Sequence, residues 1–339
     1  MRRAFALLAA GCPALAWAEL VEWQPGAWAE QGAALRATAV LEPERPWDEL
    51  VVSWNGPAPN RQTVTVTASA EVDGRWTKPF VMGVWAAPDS QARTSVGGQK
   101  DGDGDVLTDV LRLARPAGRV RLAIVVEGGP PCVSWVTAST SVRGEPMVKE
   151  EPNRDAWGRA VEVPRYRQMD FPDGDRICSP TSLSMVLAFW AAEAGKPAVA
   201  SPVKETCRWV YDAGWSGFGN WSFNAAFAGS RPGMRACVAR LSSLAELEDW
   251  IVHGWPVVCS VSNGLLRGRG YADGNDGHLV VLVGFTKEGD PVFNDPGRNE
   301  TRQTYARSDF AAAWERSGRT VYLLYPSRLR PPPARHRNW

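Results

Sequence analysis

A thiolate nucleophile needs a cysteine that loses its proton easily, an imidazole beside it and a third group to hold that imidazole. The sequence has six cysteines and three histidines, so the combinations are few. Cys178 stands out in "RICSPTSLSMVLAFW": after it, Leu183, Val186, Leu187 and Trp190 fall at i, i+3, i+4 and i+7, the stripe of a helix facing a core. Ser179 and Pro180 are helix-start residues. The helix is therefore expected to begin beside the cysteine, where unpaired N–H groups and the positive dipole end favour thiolate. Among the histidines, His253 falls in the last turn of another expected helix, where a cation complements the dipole, and His336 lies in a Pro/Arg-rich tail. His278 in "NDGHLVVLVGF" remains, at the entry to an apolar strand. It reads either as the partner of Cys178 or as a strand-end residue satisfied by a backbone carbonyl. Further on, "PVFNDPGR" puts Asn294 and Asp295 at the end of the next strand, and an antiparallel hairpin would bring that end beside His278. The same N-D-P-G is also ordinary turn chemistry. Neighbours on a strand point to opposite faces, so only one of Asn294 and Asp295 is expected to face the histidine.

The elements that must position these residues fall into two halves. From Leu35 to Val142, short period-two runs such as "ELVVSWN", "TVTVTASA", "VLTDVLRL" and "RVRLAIVVEG" are separated by Pro, Gly, Asn and Asp, which predicts an all-β sandwich over residues 19–142. "DGDGD" from Asp101 to Asp105 has the look of a calcium loop, but Arg112 stands where the twelfth position needs an acid, so a hairpin turn is expected. Residues 143–162, polar and without periodicity, read as a linker. Residues 163–326 give helices first and then a mostly antiparallel set of strands, an α+β order. Cys207 shares an apolar helical face with Val203, Val210 and Tyr211, which predicts a core position, and Ser243 with Glu246 forms a capping box ahead of "LAELEDWIVH". The tail 327–339, rich in Pro and Arg, is expected to be disordered.

Residues 1–18 read as a secretory signal: Arg2 and Arg3 precede an apolar run, and Ala16-Trp17-Ala18 gives a cleavage site before Glu19. The expected location is secreted, periplasmic or cell-envelope; lipid anchoring at Cys12 is the lesser reading, because Ala9 occupies the usual leucine place. Cleavage leaves Cys132, Cys178, Cys207, Cys237 and Cys259, an odd number, so at least one thiol is expected unpaired. No C-x-x-C spacing suggests a metal, and none is expected, nor any other cofactor. A net charge of +1 excludes the charge imbalance of a nucleic-acid binder. Seventeen tryptophans point to an aromatic core or, as the second reading, to sugar-stacking surfaces.

"VPRYRQMDFPDGDRICSPTSLSMVLAFW", "GWPVVCSVS", "GHLVVLVGF" and "VFNDPGR", with "GNWSFNAAFA" and "RQTYARSDFAAAW" in the same order, resemble cysteine peptidase family 39, the bacteriocin-processing-peptidase-like branch of the papain-fold clan. The resemblance runs from about residue 163 to 325. It implies an α+β papain-like domain in which Cys178 is the nucleophile, His278 the general base and Asp295 the residue orienting the imidazole. It also implies that Gln168 is an oxyanion-hole residue; the sequence around Gln168 otherwise reads as a surface loop. One departure is Ser179, where the family commonly has Gly, and its side chain is expected to narrow the site. The resulting expectation is an exported thiol hydrolase acting on a peptide or protein substrate. An acyl or peptidyl transferase is one alternative, and a catalytically idle domain whose sandwich binds the cell envelope or a glycan is another.

Overall fold

Thr63–Val72 reads TVTVTASAEV, and its buried side includes Val64, Val66, Ala68, Ala70 and Val72 at every second position. That alternation recurs through the first half of the computed structural model, which describes residues 18–339 except 58, 89, 91 and 273–275. The expected signal segment up to Trp17, with Cys12, lies outside the described residues. Eleven strands follow here: β1 (Glu19–Trp23), β2 (Ala29–Gln31), β3 (Ala34–Leu41), β4 (Trp47–Asn55), β5 (Thr63–Val72) and β6 (Arg75–Trp76), then β7 (Phe80–Ala86), β8 (Gly104–Leu107), β9 (Val110–Ala117), β10 (Arg119–Glu127) and β11 (Trp135–Ser141). They form two antiparallel sheets, β1-β11-β4-β9-β8 and β2-β3-β10-β5-β6 with β7 also on β5, around one apolar core. The run "VLTDVLRL", read as one strand, is two: Thr108 at φ +61° turns the chain between β8 and β9. The carboxylates of "DGDGD" close a turn, with Asp101 accepting from the Asp103 and Gly104 N–H groups and Asp103 paired with Arg75.

The second half contains α1 (Cys178–Glu193), α2 (Val203–Val210), α3 (Trp221–Gly229), β12 (Met234–Arg240), α4 (Leu244–Val252), β13 (Val257–Ser262) and α5 (Asn263–Leu266). It continues with β14 (Gly277–Phe285), β15 (Pro291–Asn294), β16 (Arg302–Thr304), α6 (Arg307–Arg316) and β17 (Thr320–Pro326). Its strands make one antiparallel sheet, β12-β17-β13-β14-β15-β16. α1, buried on nearly every side, packs against β14, and the Ser243–Glu246 capping box starts α4 as the sequence predicts. Among the described residues no helix is long and apolar enough to cross a membrane.

β4 explains how the halves meet. It is buried at every position but Asp48 because one face lies on the β-sheet core and the other lies on α3 and β12. Asn55 exchanges hydrogen bonds with the Ala236 N–H and C=O (2.8 and 2.7 Å), Ser53 accepts from the Val238 N–H, and Glu49 pairs with Arg240. Gly229 permits this approach, since a Cβ there would sit 2.2 Å from the Asn55 Cγ. The tail, expected to be disordered, is docked instead. Leu20 N–H donates to the Arg337 carbonyl, Asn338 donates to Glu246, His336 pairs with Glu150, and the Trp339 ring stands 5.6 Å from that of Trp250. Composition predicts solvation only where no partner waits, and here α4 offers an aromatic face and a buried carboxylate. The tryptophans mostly serve the core: Trp47, Trp54, Trp250 and Trp314 are among its largest fully buried side chains.

Candidate active site

Cys178 is the first residue of α1, after the N-cap Ile177. The next two positions add only one N–H, on Ser179, because Pro180 has none, so the helix start presents two unpaired donors close to the sulfur. Cys178 itself is half-buried, whereas Cys132, Cys237 and Cys259 are buried; none of the five is in a disulfide. Burial pushes its thiol pKa up. The His278 side chain, which hydrogen-bonds it, and the backbone N–H groups of Leu279 and Ser179 outweigh that and hold the pKa below the ordinary thiol range. The Ser179 side chain does not narrow the site: its hydroxyl is fully buried and bonded to the Tyr322 hydroxyl of β17 at 2.9 Å.

His278 is the second residue of β14 and faces α1 from the sheet. β15 pairs antiparallel with β14, Asn294 opposite Val281, so the residue after β15 comes back to the level of the histidine. That residue is Asp295, whose Oδ1 lies 2.7 Å from His278 Nε2. With Nε2 engaged, Nδ1 is the nitrogen left for Cys178. Asp295 is completely buried; its Oδ1 also accepts from the Gly297 N–H (2.8 Å) and its Oδ2 from the Tyr305 hydroxyl (2.6 Å). Burial would raise its pKa, but the His278 charge and these donors bring it down to about 2. Burial works the other way on His278, yet Asp295 and then Cys178 carry its pKa up to about 10. Thiol down and imidazole up are the directions that favour a thiolate–imidazolium pair. Gly297 closes over it, since a Cβ there would lie 3.1 Å from the His278 Cε1.

Asn294 points elsewhere. Its amide donates to the Val163 and Pro164 carbonyls and accepts from Arg302, fixing the segment that leads to Gln168. Gln168 opens a single 3-10 turn, Gln168–Asp170, and is buried; its backbone N–H donates to the Pro296 carbonyl, next to Asp295. One side-chain N–H goes to the Gly174 carbonyl at 2.5 Å, leaving the second amide hydrogen and an unpartnered Oε1. His253 caps the end of α4 against Trp255, and His336 is in the docked tail; neither joins the site. Tyr305 is the contributor that spacing misses. It lies in "RQTYARSDF", and only the β15–β16 hairpin brings its hydroxyl to Asp295. Among the described residues no group of three or more His, Cys, Asp or Glu side chains could hold a metal ion.

Residues 160–322 match the family model described as the Peptidase_C39 like family, and residues 22–141 match the Peptidase C39 N-terminal domain. Over residues 160–322 the chain belongs to the peptidase C39-like family, a family of cysteine peptidase-type hydrolases. The chain is thus a β-rich, multi-sheet protein with a C39-like peptidase domain. A crystal structure of a C39-like peptidase assignment from Bacillus anthracis is 17% identical, covering 54% of this chain and 100% of its own, with a TM-score of 0.33. No curated protein matches the sequence.

Proposed function

We propose that the protein is an exported thiol hydrolase that cleaves a peptide or amide bond through an acyl-enzyme. In this reading its second half is a papain-like α+β domain and its first half a β-sandwich. The observation that carries the proposal is His278, held by Asp295 at 2.7 Å with every Asp295 oxygen occupied by a donor, on the strand that packs against the helix begun by Cys178. The Cys178 thiolate attacks the carbonyl carbon, and the carbonyl π pair moves to oxygen. The free Gln168 amide hydrogen and the N–H groups at the start of α1 stabilise that oxyanion. Collapse of the intermediate breaks the C–N bond while the His278 imidazolium gives its proton to the leaving nitrogen. His278, now neutral, takes a proton from water as its oxygen attacks the thioester; the carboxylic acid leaves and the thiolate returns. Asp295 holds the ring with Nδ1 toward the sulfur throughout.

The export part of this proposal rests on the signal-like segment alone. The test for the chemistry is labelling of the folded protein with a thiol-reactive acyl probe followed by peptide mapping. Label at Cys178 that is lost in His278→Ala supports the hydrolase; no label, or label on Cys207 alone, sinks it.

A further inference from the structure

The start of α1, CSPTSLS, carries Ser179, Thr181, Ser182 and Ser184, and all four hydroxyls belong to fully buried residues. A buried hydroxyl costs stability unless it is bonded, so each has to be accounted for. Thr181 donates to the Ile177 carbonyl at its own helix start (2.7 Å), and Ser184 bonds to Thr206 of α2 (2.8 Å). Ser179 and Ser182, three residues apart and so on one helix face, reach the sheet instead. The Ser179 hydroxyl meets the Tyr322 hydroxyl of β17 at 2.9 Å, and the Ser182 hydroxyl donates to the Leu279 carbonyl of β14 at 2.9 Å. Leu279 directly follows His278. Burial raises the Cys178 pKa, and the Leu279 and Ser179 N–H groups join His278 in bringing it down. Burial also keeps Tyr322 well above the ordinary tyrosine pKa, so its bond to Ser179 joins two neutral hydroxyls.

We propose that Ser179, Ser182 and Tyr322 are positioning residues, which fasten the start of α1 to the sheet so that the Cys178 sulfur keeps its place against His278. The inference deepens the hydrolase reading and rests on it. Apolar burial is non-directional: it holds a helix on a sheet but leaves small slides and rotations cheap. Hydrogen bonds are directional. These two end on β17 and β14, the strands that flank β13, so the anchors stand roughly 10 Å apart across the sheet and fix slide and rotation together. A displacement of about 1 Å at the reacting atoms costs on the order of a hundredfold in rate, which is the scale such anchoring guards against. Ser179 is also the departure from the family's usual Gly, so the Tyr322 anchor belongs to this chain.

The experiment uses the full chain with Ser179→Ala, Ser182→Ala, Tyr322→Phe and the double change Ser179→Ala with Tyr322→Phe. Hydrolysis of a peptide library gives kcat and KM. Alkylation of Cys178 by iodoacetamide across pH, read by peptide mapping, reports the thiolate without any substrate. Cys207, expected in the core, is instead half-buried with its thiol pushed up to about 12 by burial and then by Asp173, and it serves as the reference thiol in the same digest. Each single variant should lose about tenfold or more in kcat with KM within about twofold. The alkylation midpoint of Cys178 should move up by about half a pH unit or more. The double variant separates positioning from the damage of stranding a buried hydroxyl. With both oxygens gone its melt should return toward the wild type, while kcat and midpoint stay impaired. Recovery of kcat and midpoint together with the melt overturns the proposal, as does a loss in the single variants that falls on KM alone. Where the wild type hydrolyses nothing the hydrolase reading falls, and a midpoint still displaced in the double variant supports the positioning by itself. Neither hydrolysis nor a displaced midpoint overturns both. If the double variant melts below the wild type, Ser182→Ala decides, since it removes one oxygen and no aromatic group.

Discussion

Asp295 keeps its oxygens fixed because each has its own donor, and this determines what a substitution there should do. The Gly297 N–H points at the oxygen that also meets His278 Nε2. In Asp295→Asn that N–H favours the amide oxygen at the same place, so the imidazole keeps its orientation, while the amide nitrogen faces the Tyr305 hydroxyl, which can rotate to accept. Turnover is therefore expected to fall by about a hundredfold or less. Cys178→Ala should lose about 10⁴-fold or more with an unchanged melt, because the first helical position tolerates a small residue. A larger loss in Asn294→Ala than in Asp295→Ala would reassign the third residue. The pair also fixes a pH profile. The thiolate–imidazolium form gains population as pH rises through the lowered Cys178 pKa and loses it as pH rises through about 10, where His278 deprotonates. A kcat/KM plateau bounded in that way is expected; a rise centred on an ordinary thiol pKa would mean no such pair. Cys178 and His278 leave a pattern in the sequence as a helix start and a strand start, whereas the hairpin return only narrows the third residue to Asn294 or Asp295, and the choice of Asp295 comes from the family resemblance. The Tyr305 contact leaves none, since it depends on how far a side chain reaches across β15 and β16. Gln168 was legible only by family resemblance, as nothing local to it marks a buried amide.

At the scale of elements, the β8–β9 hairpin shows where periodicity misleads. The apolar alternation of "VLTDVLRL" continues straight through its turn, so the pattern predicts one strand, and only the left-handed Thr108 reveals two. The turn delivers Asp109 across to the other half, where its buried carboxylate accepts from the Trp221 N–H at the start of α3. Burial raises its pKa to about 7; the Trp221 and Ser222 N–H groups oppose this, and the nearby Asp212 charge adds to it. The folded state therefore binds more protons than the unfolded chain between the ordinary aspartate pKa and about 7, and stability should fall as pH rises through that window. Asp109→Asn keeps an acceptor for Trp221 and removes the titration. Relative to the variant, the wild type should lose up to about 4 kcal/mol between pH 4 and 7, one pKa unit being worth about 1.4 kcal/mol. Urea melts at several pH values measure this, and parallel stability curves for the two proteins would show that Asp109 stays ionised in the fold. Asn55→Ala is a pH-independent companion: it strands the buried Ala236 N–H and C=O and should cost about 2–4 kcal/mol.

Across the whole molecule, the two halves are bound at several places, among them the β4 face on α3 and β12, the Asp109 hairpin, the Arg93 bonds to the Tyr211 and Arg208 carbonyls, and the tail. The tail is the one that composition concealed, because Pro and Arg report solvation and not the docking surface that α4 supplies. Its contacts alternate between halves. Leu20 and Glu44 of the first half meet Arg337, while Asp249, Ser242 and Glu246 of the second meet Arg335 and Asn338. Glu246 is the consequential partner: it is buried in the capping box, and burial raises its pKa to about 7 while the Ser242 and Ser243 N–H groups and the Asn338 amide work against that rise. Removing residues 327–339 takes away one of those donors, uncovers Trp250 and cuts the tie between β1 and α4. We expect the truncated chain to lose about 2–4 kcal/mol and to melt less cooperatively, the halves separating in calorimetry into two transitions. Asn338→Ala should reproduce part of the loss, about 1–2 kcal/mol. Neither change touches Cys178, His278 or Asp295, so kcat/KM per folded molecule should stay at the wild-type value. A truncation that melts as the full chain does but loses turnover would place the tail's role at the active site and not in the clamp between halves.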